Sequence, residues 1–111
     1  EDDNVLVKGV AGDKNAMGYF GYAYYEENKD KLKVLKIDAG KGPIAPSFDT
    51  IKNLSYAPLS RPIFIYVNKA KLQEEYVKEF VKFYLTNAPK IVKEVDYVPL
   101  DDYKAELEKI K

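Results

Sequence analysis

The chain has 111 residues, the size of one ordinary domain, and 46% of them are hydrophobic, which excludes a disordered tail. Lys and Arg total 18 and are balanced by 18 Asp and Glu, so the chain lacks the basic excess that holds nucleic acid through counterion release. It contains no His and no Cys, which removes disulfides, thiolate nucleophiles, zinc knuckles and any imidazole that would activate Ser60.

In chain order, the apolar positions of 4–10 predict a short helix with Asp2 or Asp3 as its cap. Residues 12–15, Gly-Asp-Lys-Asn, read as a turn. The aromatic run Met17–Tyr25 reads as a strand, in which Gly18 and Gly21 signal a bend or a close backbone approach. Glu26–Lys31 reads as a charged helical turn or loop, and Lys33–Ile37 alternates like a half-buried strand. Residues 39–46 form a loop. Ser47 then caps a short helix through Asn53, with Phe48 and Ile51 facing inward.

Ile63–Val67 is a continuous run of apolar β-formers, the pattern of a strand buried on both faces. The plainest helix runs from Gln73 to Thr86, with Leu72, Tyr76, Val77, Phe80, Val81, Tyr84 and Leu85 as its core stripe. Asn87-Ala88-Pro89 breaks it, and a second helix runs from Pro89 to Val95. After an extended stretch at 97–100, Asp101 caps a last helix with Tyr103, Leu107 and Ile110 inward. Three strands make a thin sheet, and a strand buried like 63–67 demands neighbours that this chain scarcely supplies. The sequence therefore reads as part of a larger assembly.

Most chemical readings of single motifs are weaker than structural ones. Arg61 is the one arginine and sits between two prolines. It is a candidate anion ligand, though a fork holding loop carbonyls or carboxylates is the stronger reading. Gly40-Lys41-Gly42 lacks the P-loop spacing and reads as a plain turn. The acidic groups Glu1-Asp2-Asp3 and Asp101-Asp102 fit helix capping better than cation binding.

Glu1–Val7, Gly9–Asp13 and Asn15–Tyr25 resemble, in order, a stretch of the PstS-type phosphate receptors, the extracytoplasmic solute-binding components of phosphate ABC importers. Pro58–Val67 (Pro-Leu-Ser-Arg-Pro-Ile-Phe-Ile-Tyr-Val), Phe80–Leu85 and Val95–Leu100 continue the resemblance over nearly the whole chain. It implies an α/β chain forming the C-terminal part of a two-lobe, type II periplasmic-binding-protein fold. Residues 1–20 would end the second lobe. Residues 19–25 would be a crossing strand, with Tyr22, Ala23 and Tyr24 at the hinge, and residues 26–111 would return to the first lobe.

The resemblance also implies noncatalytic binding of inorganic phosphate, with no cofactor and no metal. A carboxylate that takes the ligand's proton would favour phosphate over sulfate. The family's Ser-Gly-Thr binding motif does not occur in this chain, so no phosphate ligand is carried over, and Arg61 stays the single candidate. The implied partners are phosphate, the N-terminal remainder of the receptor and the membrane permease. The implied location is periplasmic or extracytoplasmic, by export and with a lipid anchor on the missing N-terminus. The chain starts at Glu1 without Met, as expected of a processed or engineered start. Two alternatives stay open: a receptor segment for another oxyanion or small solute, and a free-standing, domain-swapped interaction module with no solute.

Overall fold

A computed structural model describes residues 2–111. The chain divides into two compact units, the first ending at Ser60 and the second spanning Arg61–Lys111. Glu1, part of the acidic run at the start, lies outside the described residues.

The first unit opens with α1, Asp3–Gly12, capped by Asp2, whose Oδ1 accepts the Asn4 N–H at 2.9 Å. A side-chain oxygen in this place satisfies one of the amides that a helix start leaves unpaired. Val7 is the buried residue of this helix. The expected turn follows, with Asp13 Oδ1 accepting the Asn15 N–H at 2.8 Å.

The strand expected at 17–25 does not form. Residues 16–21 are irregular, and Tyr22–Glu26 is a short helix, α2, with Gly21 at its N-cap position. Local bonds favour the helix: Tyr22 Oη donates to Glu26 Oε2 at 2.5 Å, one turn away, and Asn28 Nδ2 donates to Tyr24 O at 2.9 Å. Among the described residues no neighbouring strand competes for those backbone groups.

The strand expected at 33–37 shrinks to β1, Ile37–Asp38, paired antiparallel with β2, Pro43–Ile44, inside the segment expected to be loop. Gly40 and Gly42 have φ of 93° and 96°, a region open to glycine at no steric cost. Helix α3, Phe48–Lys52, starts as expected in a full capping box: Ser47 Oγ accepts the Thr50 N–H and Thr50 Oγ1 accepts the Ser47 N–H. Phe48 departs from its inward assignment. Half of it is exposed, and its ring meets Tyr22 edge-on at 5.3 Å rather than entering a core.

In the second unit Ile63–Val67 forms no strand, and residues 61–70 are all exposed. The expectation of a strand buried on both faces fails because no described segment offers a ladder to either edge. A 3-10 turn, Lys71–Gln73, leads into α4, Glu75–Glu94, a single 20-residue helix. The expected break at 87–89 is absent, and Pro89 lies inside the helix. Pro89 removes the N–H that would bond to Leu85 O. Leu85 and Ala88, in the turn just before it, are buried and anchor the helix there. The helix ends instead in a Schellman motif, with the Tyr97 N–H on Val92 O and the Asp96 N–H on Lys93 O.

Only part of the expected stripe on α4 is core. Val81, Leu85 and Ala88 are buried, whereas Tyr76, Phe80 and Tyr84 point outward with Phe83. The apolar arc is about half the helix circumference, wider than one packed face accommodates. The last helix, α5, is Lys104–Glu108, with Tyr103 at its cap position and the Lys104 N–H on Asp102 Oδ1 at 3.1 Å, so the expected cap at Asp101 moves along the chain. Tyr103, Leu107 and Ile110 are half-buried, as their spacing predicts. Helix makes up most of the regular structure, and among the described residues no helix is long and apolar enough to cross a membrane.

Candidate functional site

Tyr22, Ala23 and Tyr24, the expected hinge residues, are the first three residues of α2. Upstream of them the chain passes close to α1 at Gly18, where an added Cβ would lie 2.5 Å from Val10 Cγ2. The close backbone approach expected of Gly18 is therefore present. Gly21 has only ordinary contacts and serves as the helix start.

Tyr22 organises this corner. Its ring packs at 6.0 Å from Tyr25 and edge-on to Phe48, while its hydroxyl donates to Glu26. The other Glu26 oxygen accepts from Lys29 Nζ. The Lys29 hydrogen bond, followed by the Tyr22 one, holds the Glu26 carboxyl below the usual range. Burial, then the Glu26 hydrogen bond, pushes the Tyr22 phenol well above its usual range.

The signs of the two shifts give opposite pH limbs. Glu26 is depressed in the fold, so its contribution is present above the unfolded carboxylate value and is lost as pH falls below about 4. Tyr22 is raised, so its contribution is present below the unfolded phenol value of about 10 and is lost as pH climbs through the raised value. Tyr22→Phe is expected to remove the most alkaline phase of an ultraviolet absorbance titration, and Glu26→Gln to shift that phase to lower pH. A titration unaltered by either change would mean that the pair does not exist in solution.

Arg61 opens the second unit and is exposed, whereas the hinge residues belong to the first unit. Ser60, beside it, is committed to structure: its N–H and its hydroxyl both donate to Tyr56 O, at 2.8 and 2.9 Å. The turn at Gly40-Lys41-Gly42 is equally committed. The Gly40 and Gly42 N–H groups both donate to Asp38 Oδ1, at 2.7 and 3.0 Å. A phosphate there would have to displace a carboxylate from its own amides. The acidic residues Asp2 and Asp102 act as helix-start acceptors, and among the described residues no group of His, Cys, Asp or Glu is placed to hold a metal ion.

Two open grooves in the second unit bear on a binding site. The larger, about 840 Å³, lies between α4 and α5. Lys78, Lys82, Lys104 and Lys111 line it together with Glu75, Glu79 and Glu108, so most of its positive charge is offset. The smaller, about 290 Å³, is mostly apolar and runs between 65–67 and Phe80, Val81 and Tyr84 of α4. Neither encloses a small anion. The apolar groove and the aromatic face of α4 were missed by sequence reasoning, which assigned the whole stripe to one core. The width of the apolar arc was the signal that one helix face was not enough.

A family model for the PBP superfamily domain matches residues 3–88. The chain belongs to the PBP superfamily. It is 48% identical over 111 residues to the SphX protein of Synechocystis sp., covering 99% of this chain and 33% of SphX. It is 46% identical over 114 residues to the phosphate-binding protein PstS of Staphylococcus haemolyticus, covering 99% of this chain and 36% of that protein. The crystal structure of a possible phosphate binding protein from Planctomyces limnophilus superposes with a TM-score of 0.82 at 45% identity, over 98% of this chain and 40% of that one. The resemblance to PstS-type proteins is thus borne out, and the periplasmic-binding-protein fold with it. The chain spans about a third of the length of the curated relatives it matches.

Proposed function

We propose that this chain is the hinge and scaffold part of a PstS-type receptor that binds inorganic phosphate without catalysis and delivers it to the membrane permease of an ABC importer. The observation that carries the reading is the likeness to PstS along the full chain, at 46% identity, in a segment whose one arginine is Arg61 and which has no His. The phosphate-gripping groups then belong to the remainder of the receptor. Residues 1–20 close its second lobe, 19–25 cross between the lobes, and 26–111 complete the first lobe. Tyr22, Ala23 and Tyr24 take up the hinge motion as the lobes close on the ligand. Such a receptor works outside the cytoplasm, where its permease receives the solute.

The lack of His and Cys and the commitment of Ser60 to Tyr56 O support a binding role over an enzymatic one. The test is titration calorimetry on this chain mixed with the N-terminal polypeptide of the Staphylococcus haemolyticus PstS, using phosphate and sulfate. Saturable heat with phosphate from the mixture, and none from this chain alone, is expected. A reconstituted receptor that ignores phosphate would sink the proposal.

A further inference from the structure

The segment between α2 and β2 carries a run of unpaired lysines. Lys31, Lys33, Lys36 and Lys41 are all exposed, and none of them has an ion-pair partner among the described residues. The second unit differs, for there Lys71, Lys82, Lys90, Lys104, Lys109 and Lys111 each face a carboxylate. Asp38 is the one acidic residue from 31 to 41, and its Oδ1 is engaged by the Gly40 and Gly42 amides. Asp30 flanks the run, and Lys29 before it is held by Glu26. Both ends are fastened. The Lys31 and Leu32 N–H groups donate to Asn28 O at 3.0 and 3.1 Å, and at the far end the β1–β2 turn presents Lys41 between two glycines of positive φ. Leu35, in the middle of the lysines, is 54% exposed.

We propose that residues 31–41 form a membrane-contact strip, which lays this face of the first unit on a bilayer containing anionic phospholipid, with its lysines among the headgroups and Leu35 at the acyl boundary. Three arguments select this partner. The strip holds lysines and no arginine, and a hydrated ammonium on a flexible stem suits many mobile headgroups, whereas a fixed oxyanion or carboxylate is better held by an arginine fork. An exposed leucine set among lysines is the composition of an interfacial anchor. Four unpaired ammonium groups are also costly to bury under further polypeptide, so the strip stays open in a longer receptor. The formal net charge of the chain is +0, so attraction to an anionic surface has to come from a local strip of this kind.

Co-sedimentation of this chain with vesicles tests the strip, using phosphatidylcholine alone and phosphatidylcholine mixed with phosphatidylglycerol. Binding is expected on the mixed vesicles only, and release is expected at about 0.5 M salt, where the screening length is about 4 Å. Replacing Lys31, Lys33, Lys36 and Lys41 together by Gln is expected to weaken binding by about 100-fold or more. The same change at the paired residues Lys71, Lys82, Lys104 and Lys111 alters the net charge equally and is expected to stay within about threefold. Leu35→Asn is expected to weaken binding by about fivefold and leave its salt dependence as it was. All of these are exposed positions, so the helical circular dichroism should persist. No binding to the mixed vesicles, equal binding to both kinds, or equal loss from the two lysine sets would overturn the proposal. Binding to polyglutamate as tight as to the mixed vesicles, and indifferent to Leu35→Asn, would overturn it in favour of an acidic protein partner. None of these readouts involves phosphate, so their failure leaves the receptor reading standing, and a receptor that ignores phosphate leaves the strip standing.

Discussion

Leu85→Ala is expected to lower the unfolding free energy of the second unit by about 2–5 kcal/mol, read from the midpoint and slope of a urea titration followed by circular dichroism. Leu85 is 7% exposed and lies along α4 between Val81 and Ala88, the other two buried residues of that helix. Truncation removes the transfer free energy of the side chain and leaves a cavity that a rigid helix cannot close. The loss falls on the same turn where Pro89 has already removed a backbone hydrogen bond. Phe83→Ala is the matched control. It removes a larger apolar side chain two positions away, but that side chain is 61% exposed, so the expected change is within about 0.5 kcal/mol. Equal costs for the two variants would show that the buried and open faces of α4 have been assigned wrongly.

Gly18→Ala is expected to destabilise the first unit by about 1–3 kcal/mol. The added methyl would lie 2.5 Å from Val10 Cγ2 and 3.1 Å from Phe20 Cε1. Val10 cannot easily swing away, because a β-branched side chain on a helix has one strongly preferred rotamer. The same substitution in a Val10→Ala background should cost much less, since the colliding atom is gone. Gly9→Ala provides the opposite sign. It sits in α1 with open space around it, so the methyl should stabilise by about 0.5–1 kcal/mol through helix propensity. If Gly18→Ala costs as much with Val10 removed as with it present, the contact is not the cause.

The local devices were legible in the sequence because each depends on a few adjacent atoms. Asp2 and Ser47 cap helices because their oxygens reach amides two or three residues on, whatever the rest of the chain does. The turn at Gly40 and Gly42 was legible for the same reason, since Asp38 reaches both amides within four residues. The scarcity of anion-clamping side chains was legible in composition, with Arg61 as the one arginine and no His. The end of α4 was misread at Pro89, because the local cost of proline was weighed without the burial of Leu85 and Ala88 just before it.

The strands were misread for a different reason. A β-former run becomes a strand only when another segment supplies the hydrogen bonds, and that information lies elsewhere in space. Met17–Tyr25 found local bonds first and became α2 at Tyr22, fastened by Glu26. Ile63–Val67 found no partner among the described residues and stays open beside the aromatic face of α4. From its sequence alone this protein could be known as a chain without His or Cys, capped and turned at stated residues, and similar throughout to the PstS-type receptors. Packing in three dimensions was needed to show that α4 has a buried face and an uncovered one, that Tyr22 bonds Glu26 within α2 and meets Phe48 of α3, and that the five most strand-like residues find no strand partner among the described residues. Caps and turns close over neighbouring residues, whereas burial and strand pairing depend on atoms far away in the chain.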